Sequence, residues 1–245
     1  ASLYRLVDAD NSNNHVVISL TTDGKYADKL RLIGVDVRSF HLKLNFMLPF
    51  RLVSLARYIK QSSPDVVQTW MYHANLIGGL ASRIVGERKV VWGVHRSDSV
   101  TSLSLFTRVI VKLNCWLSRI LPSQIIFCAN SARVEHERIG FSAKKMSVVA
   151  NGVDLRVFRY EASKKLRNEY SVSPEECLFG MVARYHPVKD HENLLEALAR
   201  LDAAENLWSC FLIGSGVTSD NQDLVAKIHA RGLSHRIFLL GPRDD

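Results

Sequence analysis

Residues 177–201, CLFGMVARYHPVKDHENLLEALARL, admit few folds. Leu178, Phe179, Met181 and Val182 form a short apolar run, and Leu194, Leu195, Leu198 and Leu201 recur at helical spacing. The pattern predicts a buried strand, a polar turn and an amphipathic helix. A unit of this kind belongs to an open parallel α/β sheet, which leaves its functional groups at the carboxyl ends of the strands. The turn holds Arg184, His186, Lys189 and Asp190. Two cations beside a helix amino terminus suit a diphosphate. The other reading makes Lys189 a solvated partner of Asp190 or Glu192, worth about 0–1 kcal/mol.

The same alternation runs through the chain. A helix tail over 1–10 and a turn over 10–14 lead to strands at 15–20 and 35–40, with a short helix at 27–33 between them. Pro49 opens a helix to about Gln61 whose inward face is Leu52, Leu55, Ala56 and Ile59. A strand at 66–69 passes through a loop into a helix rich in Ala74, Gly78, Gly79, Ala81 and Ser82, small residues that permit close packing. Further strands are expected at 90–94, 125–129 and 144–150, then at 177–183, 207–213 and 236–240, with helices near 131–139, 190–201 and 220–231. The stretch 103–121 is the clearest helix, with Leu103, Phe106, Ile110, Leu113, Trp116 or Leu117, and Ile120 at steps of three or four. Its stripe fits a helix covering a sheet, the favoured reading, or one lying on a membrane surface. The crossing between two domains falls over 151–175, giving domains 1–154 and 155–245.

Charge separates the halves. Residues 1–150 carry 20 Lys and Arg against 10 Asp and Glu, whereas 151–245 carry 12 against 14, which accounts for the net +8. A basic first half points to an anionic partner. No basic 5–8-mer with interleaved aromatics and no zinc-finger or RNA-module pattern is present, which argues against nucleic acid. The four cysteines form no CxxC pair, and Cys128 and Cys210 sit in apolar runs, so buried thiols in a reducing compartment are expected. No run of 18 uncharged apolar residues occurs, which predicts a cytoplasmic protein without a membrane span.

Three polar clusters end apolar strands of the first half: residues 70–75 with His73 and Asn75, residues 95–98 beginning at His95, and Asn130-Ser131. Each either satisfies its own backbone or, on a common sheet edge, lines a cleft. The His95 ring can exchange hydrogen bonds with a polar substrate or serve the fold alone. HExxH, GxSxG and GxxxxGK[ST] are all absent, so neither a protein-built metal site nor a tightly bound cofactor is expected. Gly214-Ser215-Gly216 after a strand is a weak phosphate-loop signal, since a third glycine is missing.

Taken together, residues 64–86 (PDVVQTWMYHANLIGGLASRIVG), 90–98 (VVWGVHRSD), 125–136 (IIFCANSARVEH), 145–158 (KMSVVANGVDLRVF), 180–201 (GMVARYHPVKDHENLLEALARL), 211–216 (FLIGSG) and 236–245 (RIFLLGPRDD) resemble the retaining glycosyltransferases of group 1. The resemblance implies a GT-B-like α/β fold: two Rossmann-like domains with parallel sheets facing a cleft, an N-terminal acceptor domain and an incomplete C-terminal nucleotide-sugar domain. It implies that Arg184 and Lys189 hold the diphosphate of a UDP- or GDP-linked sugar and stabilise the leaving group, with Gly214, Ser215 and Gly216 along the donor. The residue matching His95 lies near the transferred sugar, and the loop around His73 and Asn75 faces the acceptor. Such enzymes act on cell-envelope glycans or lipid-linked acceptors at the inner membrane face, which the basic first domain would approach through anionic lipid. The family's glycine-rich opening strand and its later pair of glutamates spaced by seven are expected outside this sequence, making it an internal piece with little activity alone. A nucleotide-sugar epimerase and a non-catalytic nucleotide- or glycan-binding scaffold are the competing readings.

Overall fold

The computed structural model describes residues 2–42, 48–87, 89–95, 103–153, 155, 165–202 and 207–243. Residues 96–98, Asp154 and the start of the expected charged linker helix lie outside the described residues. The chain divides into two compact units, Ala1–Phe158 and Arg159–Asp245.

In the first unit the elements follow in the order α1 (Ser2–Ala9), β1 (Val16–Ser19), α2 (Ala27–Leu32), β2 (Asp36–Ser39), α3 (Leu48–Ser62), β3 (Val67–Trp70), α4 (Met71–Ile84), β4 (Val90–Val94), α5 (Leu105–Leu117), β5 (Gln124–Phe127), α6 (Asn130–Arg138) and β6 (Met146–Val148). All pairings are parallel, as β1-β2 and as β3-β4-β5-β6. Helical crossovers make this possible, since parallel neighbours cannot be joined by a hairpin. The fully buried Val90, Trp92, Val94, Ile125 and Phe127 pack with Tyr72, Val111 and Ala132 into the main core. Leu55, Ala56 and Ile59 of α3 meet Ala81 of α4 in a second. Between β1 and β3 lies a cavity of about 410 Å³, lined by Ile18, Leu20, Val67 and Thr69 among others.

The small residues of α4 do bring it close to the sheet. A Cβ on Gly78 would stand 2.7 Å from Thr69 Cγ2, and one on Gly79 3.1 Å from Trp92 Nε1. The helix follows β3 directly, with no intervening loop, because Met71 adopts φ 71° and turns the chain in one residue.

Helix α5 departs from expectation. Ile110, Val111 and Asn114 face inward, while Phe106, Leu113, Trp116 and Ile120 of the expected inward stripe are exposed. The inner face is fixed by Asn114 Nδ2, which donates to the carbonyls of Tyr72 and Ile110 at 2.9 Å each.

The second unit contains α7 (Lys165–Glu169), β7 (Cys177–Val182), α8 (His191–Asp202), β8 (Trp208–Ile213), α9 (Gln222–His229) and β9 (Ile237–Gly241), with a parallel sheet of order β7-β8-β9. Trp208, Cys210 and Leu212 of central β8 pack against Leu195, Leu198, Leu224 and Ile228. Strand β7, expected to be buried, has only one partner among the described residues, and Phe179 and Val182 are exposed. Burial pushes the Cys210 thiol up to about 11, whereas Cys177 is exposed and Cys128 half-buried. Arg243 clamps α7 through a two-pronged pair with Glu169 at 3.0 and 3.2 Å.

A buried polar pair closes the first core. His136 Nδ1 lies 2.7 Å from the Ala132 carbonyl, so that nitrogen carries the proton and Nε2 accepts from Tyr72 Oη at 2.8 Å. Burial lowers the pKa of His136 below its ordinary 6.5, outweighing the Ala132 bond, and the ring is neutral at pH 7.

Gly78→Ala gains about 1 kcal/mol of helix propensity but collides with a Thr69 held by its own hydrogen bond to Asn75. Overpacking of about 1–3 kcal/mol makes the change net destabilising by denaturant unfolding. Gly24→Ala, where a Cβ meets nothing within 4 Å, should stay within about 0.5 kcal/mol. Because the folded pKa of His136 is depressed, the unfolded chain takes up its proton first as pH falls below about 6.5. The melting temperature should therefore fall from pH 7 to 5.5, and fall less in His136→Gln.

Candidate functional site

Strands β7 and β8 end on the same rung, Val182 opposite Ile213, and their pairing continues into the loops. Ala183 N donates to Ile213 O and Tyr185 N to Ser215 O, both at 2.8 Å. Gly214 N then donates to Gly241 O, and Gly241 N to Val217 O, so the turn after β8 is also tied to the end of β9. Gly214 sits at φ 147°, and a Cβ there would stand 2.2 Å from the Ala183 carbonyl oxygen. Only glycine allows these loops to touch. Arg184 is the residue between the two cross-loop bonds, and its backbone nitrogen stands 3.0 Å from where a Cβ on Gly214 would be.

From there the chain makes one 3-10 turn, Pro187–Lys189, whose Val188 N–H donates to His186 Nδ1 at 3.3 Å. Asp190 follows in the left-handed region at φ 54° and caps α8, accepting from Asn193 N at 3.4 Å. Glu192 is engaged elsewhere, with Arg231 at 3.1 Å and Lys227 at 3.4 Å. Neither carboxylate that could neutralise Lys189 does so. Arg184 and Lys189 are exposed and have no side-chain hydrogen bond or ion pair among the described residues.

Tyr185, which the sequence reading gave no role, anchors this loop. Its hydroxyl donates to Asp223 Oδ2 at 2.5 Å and accepts from Lys227 Nζ at 3.3 Å, both on α9, while its ring tilts against His191 at 5.2 Å. Burial and then the Asp223 bond raise the phenol pKa, so the hydroxyl stays protonated. The Tyr185 bond in turn lowers the Asp223 carboxyl. The partners lie 38 and 42 residues away; only the Asp223-Lys227 spacing of four on α9 hints at them.

In the first unit His95 follows β4 directly. Its ring stacks on Trp70 at the end of β3, with centroids 4.3 Å apart and planes within 11°. Burial lowers its pKa despite an opposing contact from the side chain of Asn151, so the imidazole is neutral at pH 7, with Nδ1 buried and unpartnered. The structure thus adds Trp70 and Asn151 to the surroundings of His95. His73 is exposed on the first turn of α4, 6.1 Å from the ring of Phe106.

Asn75, expected beside His73 on the acceptor side, is wholly buried instead. The amide orientation that satisfies its neighbours has nitrogen donating to Thr69 Oγ1 at 2.6 Å and to the carbonyls of Met71 and Thr69 at 3.2 and 3.3 Å. It clasps the turn at Met71, whose left-handed conformation costs about 1–2 kcal/mol. The cavity beside this turn includes His73 in its wall but no Lys or Arg, so diphosphate chemistry has no seat in it. Among the described residues no group of three or more His, Cys, Asp or Glu is placed to hold a metal ion.

Parallel sheets with helical crossovers in both units, and a glycine turn locked against a cationic loop in the second, define a GT-B-type glycosyltransferase fold. The structure of the Anabaena protein Alr3699/HepE in complex with UDP superposes with a TM-score of 0.78 at 22% identity, over 99% of this chain and 66% of that one. A glycosyltransferase from Rickettsia africae gives 0.74 at 18%, over 100% and 63%. The family model for Glycosyltransferase Family 4 matches residues 2–157, and that for Glycosyl transferases group 1 matches residues 162–245. The chain belongs to glycosyltransferase family 4, with a group 1 second unit. It is 27% identical over 201 residues to the Escherichia coli UDP-Gal:alpha-D-GlcNAc-diphosphoundecaprenol alpha-1,3-galactosyltransferase, a match spanning 79% of this chain and 51% of that enzyme. It is also 30% identical over 100 residues to a Mycobacterium ulcerans D-inositol 3-phosphate glycosyltransferase, 41% of this chain and 21% of the other.

Gly214→Ala should lower the stability of the second unit by about 3 kcal/mol or more, because steric collision and backbone strain add. Calorimetric melting would detect it; an unchanged transition would mean that the two loops do not touch.

Proposed function

We propose that the chain is the core of an enzyme that transfers a hexosyl or N-acetylhexosaminyl group from a nucleotide-diphosphate sugar, with retention of anomeric configuration. The observation that carries this reading is the pair of unneutralised cations, Arg184 and Lys189, on a loop bonded to the Gly214 turn. Two positive charges on a loop that packs against a glycine turn fit a diphosphate. The solved relative bound to UDP, and another structure of it bound to UDP-glucose, support a uridine diphosphate donor.

Breaking the bond between sugar and diphosphate builds negative charge on the departing phosphate. Fixed cations stabilise that state more than the ground state. On this reading Arg184 and Lys189 contribute by accepting the charge in place, without reorganising. Neutral His95, held flat by Trp70, hydrogen-bonds the transferred sugar. Its low pKa keeps one ring nitrogen available as an acceptor. With no carboxylate nucleophile identified, the acceptor hydroxyl attacks from the face that the diphosphate leaves, and its proton passes to the leaving phosphate oxygen.

The second unit takes the donor and the first takes the acceptor, with His73 on the acceptor side and Asn75 as the residue that positions its turn. The acceptor is a cell-envelope glycan or a lipid-linked sugar at the inner membrane face. The E. coli relative, whose acceptor is named as a diphosphoundecaprenol, and the net charge of the first unit support this.

In the complete protein Lys189→Ala should lower kcat by at least ~100-fold, as loss of a charge-stabilising donor does elsewhere. UDP binding measured by calorimetry should weaken with it. A change in kcat below ~3-fold would remove Lys189 from the chemistry.

A further inference from the structure

We propose that the outward face of α5 is a docking surface for an anionic lipid bilayer, an inference that specifies how the acceptor unit of the proposed transferase meets a lipid-linked substrate. Leu105, Phe106, Val109, Leu113 and Trp116, with Ile120 in the turn that follows, are all exposed. At 100° per residue these positions fall within an arc of about 100°. The opposite face already packs on the unit through Ile110, Val111 and Asn114. The helix therefore has two apolar faces, and the unit covers one. A continuous exposed apolar stripe of this size marks an interaction site.

Charge selects the occupant. Arg108, Lys112 and Arg119 project along one flank of the stripe, and none has an ion-pair partner among the described residues. No acidic residue occurs between Asp98 and Glu135, and the unit as a whole carries 21 Lys and Arg against 11 Asp and Glu. Large aliphatic and aromatic side chains with Trp at their margin and a basic flank are the composition of a helix lying in a membrane interface. A protein partner recognising the same surface would have to supply both a wide apolar groove and acidic residues on one side only. An anionic leaflet supplies both by its nature. No helix among the described residues is long and apolar enough to cross a membrane, so contact through this face would be peripheral. Phe106 lies 6.1 Å from His73, so docking would hold the acceptor side of the unit at headgroup depth.

Trp116 is its own reporter. It is 63% exposed, whereas Trp92 and Trp208 are completely buried and Trp70 is half-buried against His95, so its signal is read as the difference from Trp116→Phe. With the full-length protein at low salt, phosphatidylglycerol vesicles should shift Trp emission to the blue and shield it from acrylamide; phosphatidylcholine vesicles should do neither. Val109→Glu/Leu113→Glu should reduce vesicle partitioning at least ~10-fold, and Arg108→Glu/Lys112→Glu should reduce it about 5-fold per charge removed. Both variants should retain the wild-type melting temperature and UDP affinity, which separates this inference from the donor-site reading. Trp116 equally quenchable with and without anionic vesicles would overturn the proposal. So would shielding of Trp116 before any lipid is added, which would show that the rest of the protein or a second copy covers the face.

Discussion

In both units the candidate groups depend on parallel strands that end on the same rung. Val182 faces Ile213 at the end of the second sheet, and the two bonds that follow carry the pairing past the strands into the loops. Arg184 is therefore held by sheet geometry although it belongs to neither strand. Trp70 pairs with Gly93 in the first sheet, which brings the indole beneath His95 two residues further on. A slip of one residue would turn each of these side chains to the opposite face. Gly214 enforces the register in the second unit, since no other residue lets the Ala183 carbonyl approach it.

The positive charge of the second unit's loop survives because the nearby carboxylates are committed elsewhere. Asp190 caps α8, Glu192 pairs with Lys227 and Arg231, and Asp223 receives the Tyr185 hydroxyl. Exposed ion pairs contribute little stability one at a time, roughly 0–1 kcal/mol. Their effect here lies in what they remove from the vicinity of Arg184 and Lys189. On the proposed reading, a loop anchored by Tyr185 and carrying two uncompensated cations would be organised for an anion before one arrives, as electrostatic stabilisation of a developing charge requires.

The secondary structure was largely legible because strand and helix periods are local. Each expected strand has its counterpart, within a few residues, among β1 to β9. Which face of an element is covered is not local. The apolar positions of α5 read as one inward stripe, but the stripe is wider than the face that is covered: Phe106 and Ile110 stand only about 40° apart, and only the packing against Ile110, Val111 and Asn114 leaves the first exposed and the second buried. For β7 the same uncertainty ran through the sheet order, since an apolar run does not reveal whether a strand is central or at an edge. Asn75 was misplaced for a different reason. Two residues apart on a helix, His73 and Asn75 point about 200° from one another, so they cannot share a face. Reading a loop at Met71 concealed this, and a left-handed Met is not a conformation that composition predicts. Tyr185 was missed because its partners are on α9, across the fold from the motif that contains it.

The first unit joins its parts rigidly. Asn114, on the inner face of α5, donates to the carbonyl of Tyr72, and Tyr72 also bonds His136 on α6. Tyr72 lies next to His73 in α4, and Phe106 on the outer side of α5 approaches the His73 ring. A surface against which α5 rests would consequently act on the height and tilt of α4 through these direct contacts. The strained turn at Met71, clasped by Asn75, removes the remaining freedom at the start of α4. An acceptor presented at an interface gains from such stiffness, because effective molarity depends on how narrowly the reacting groups are positioned.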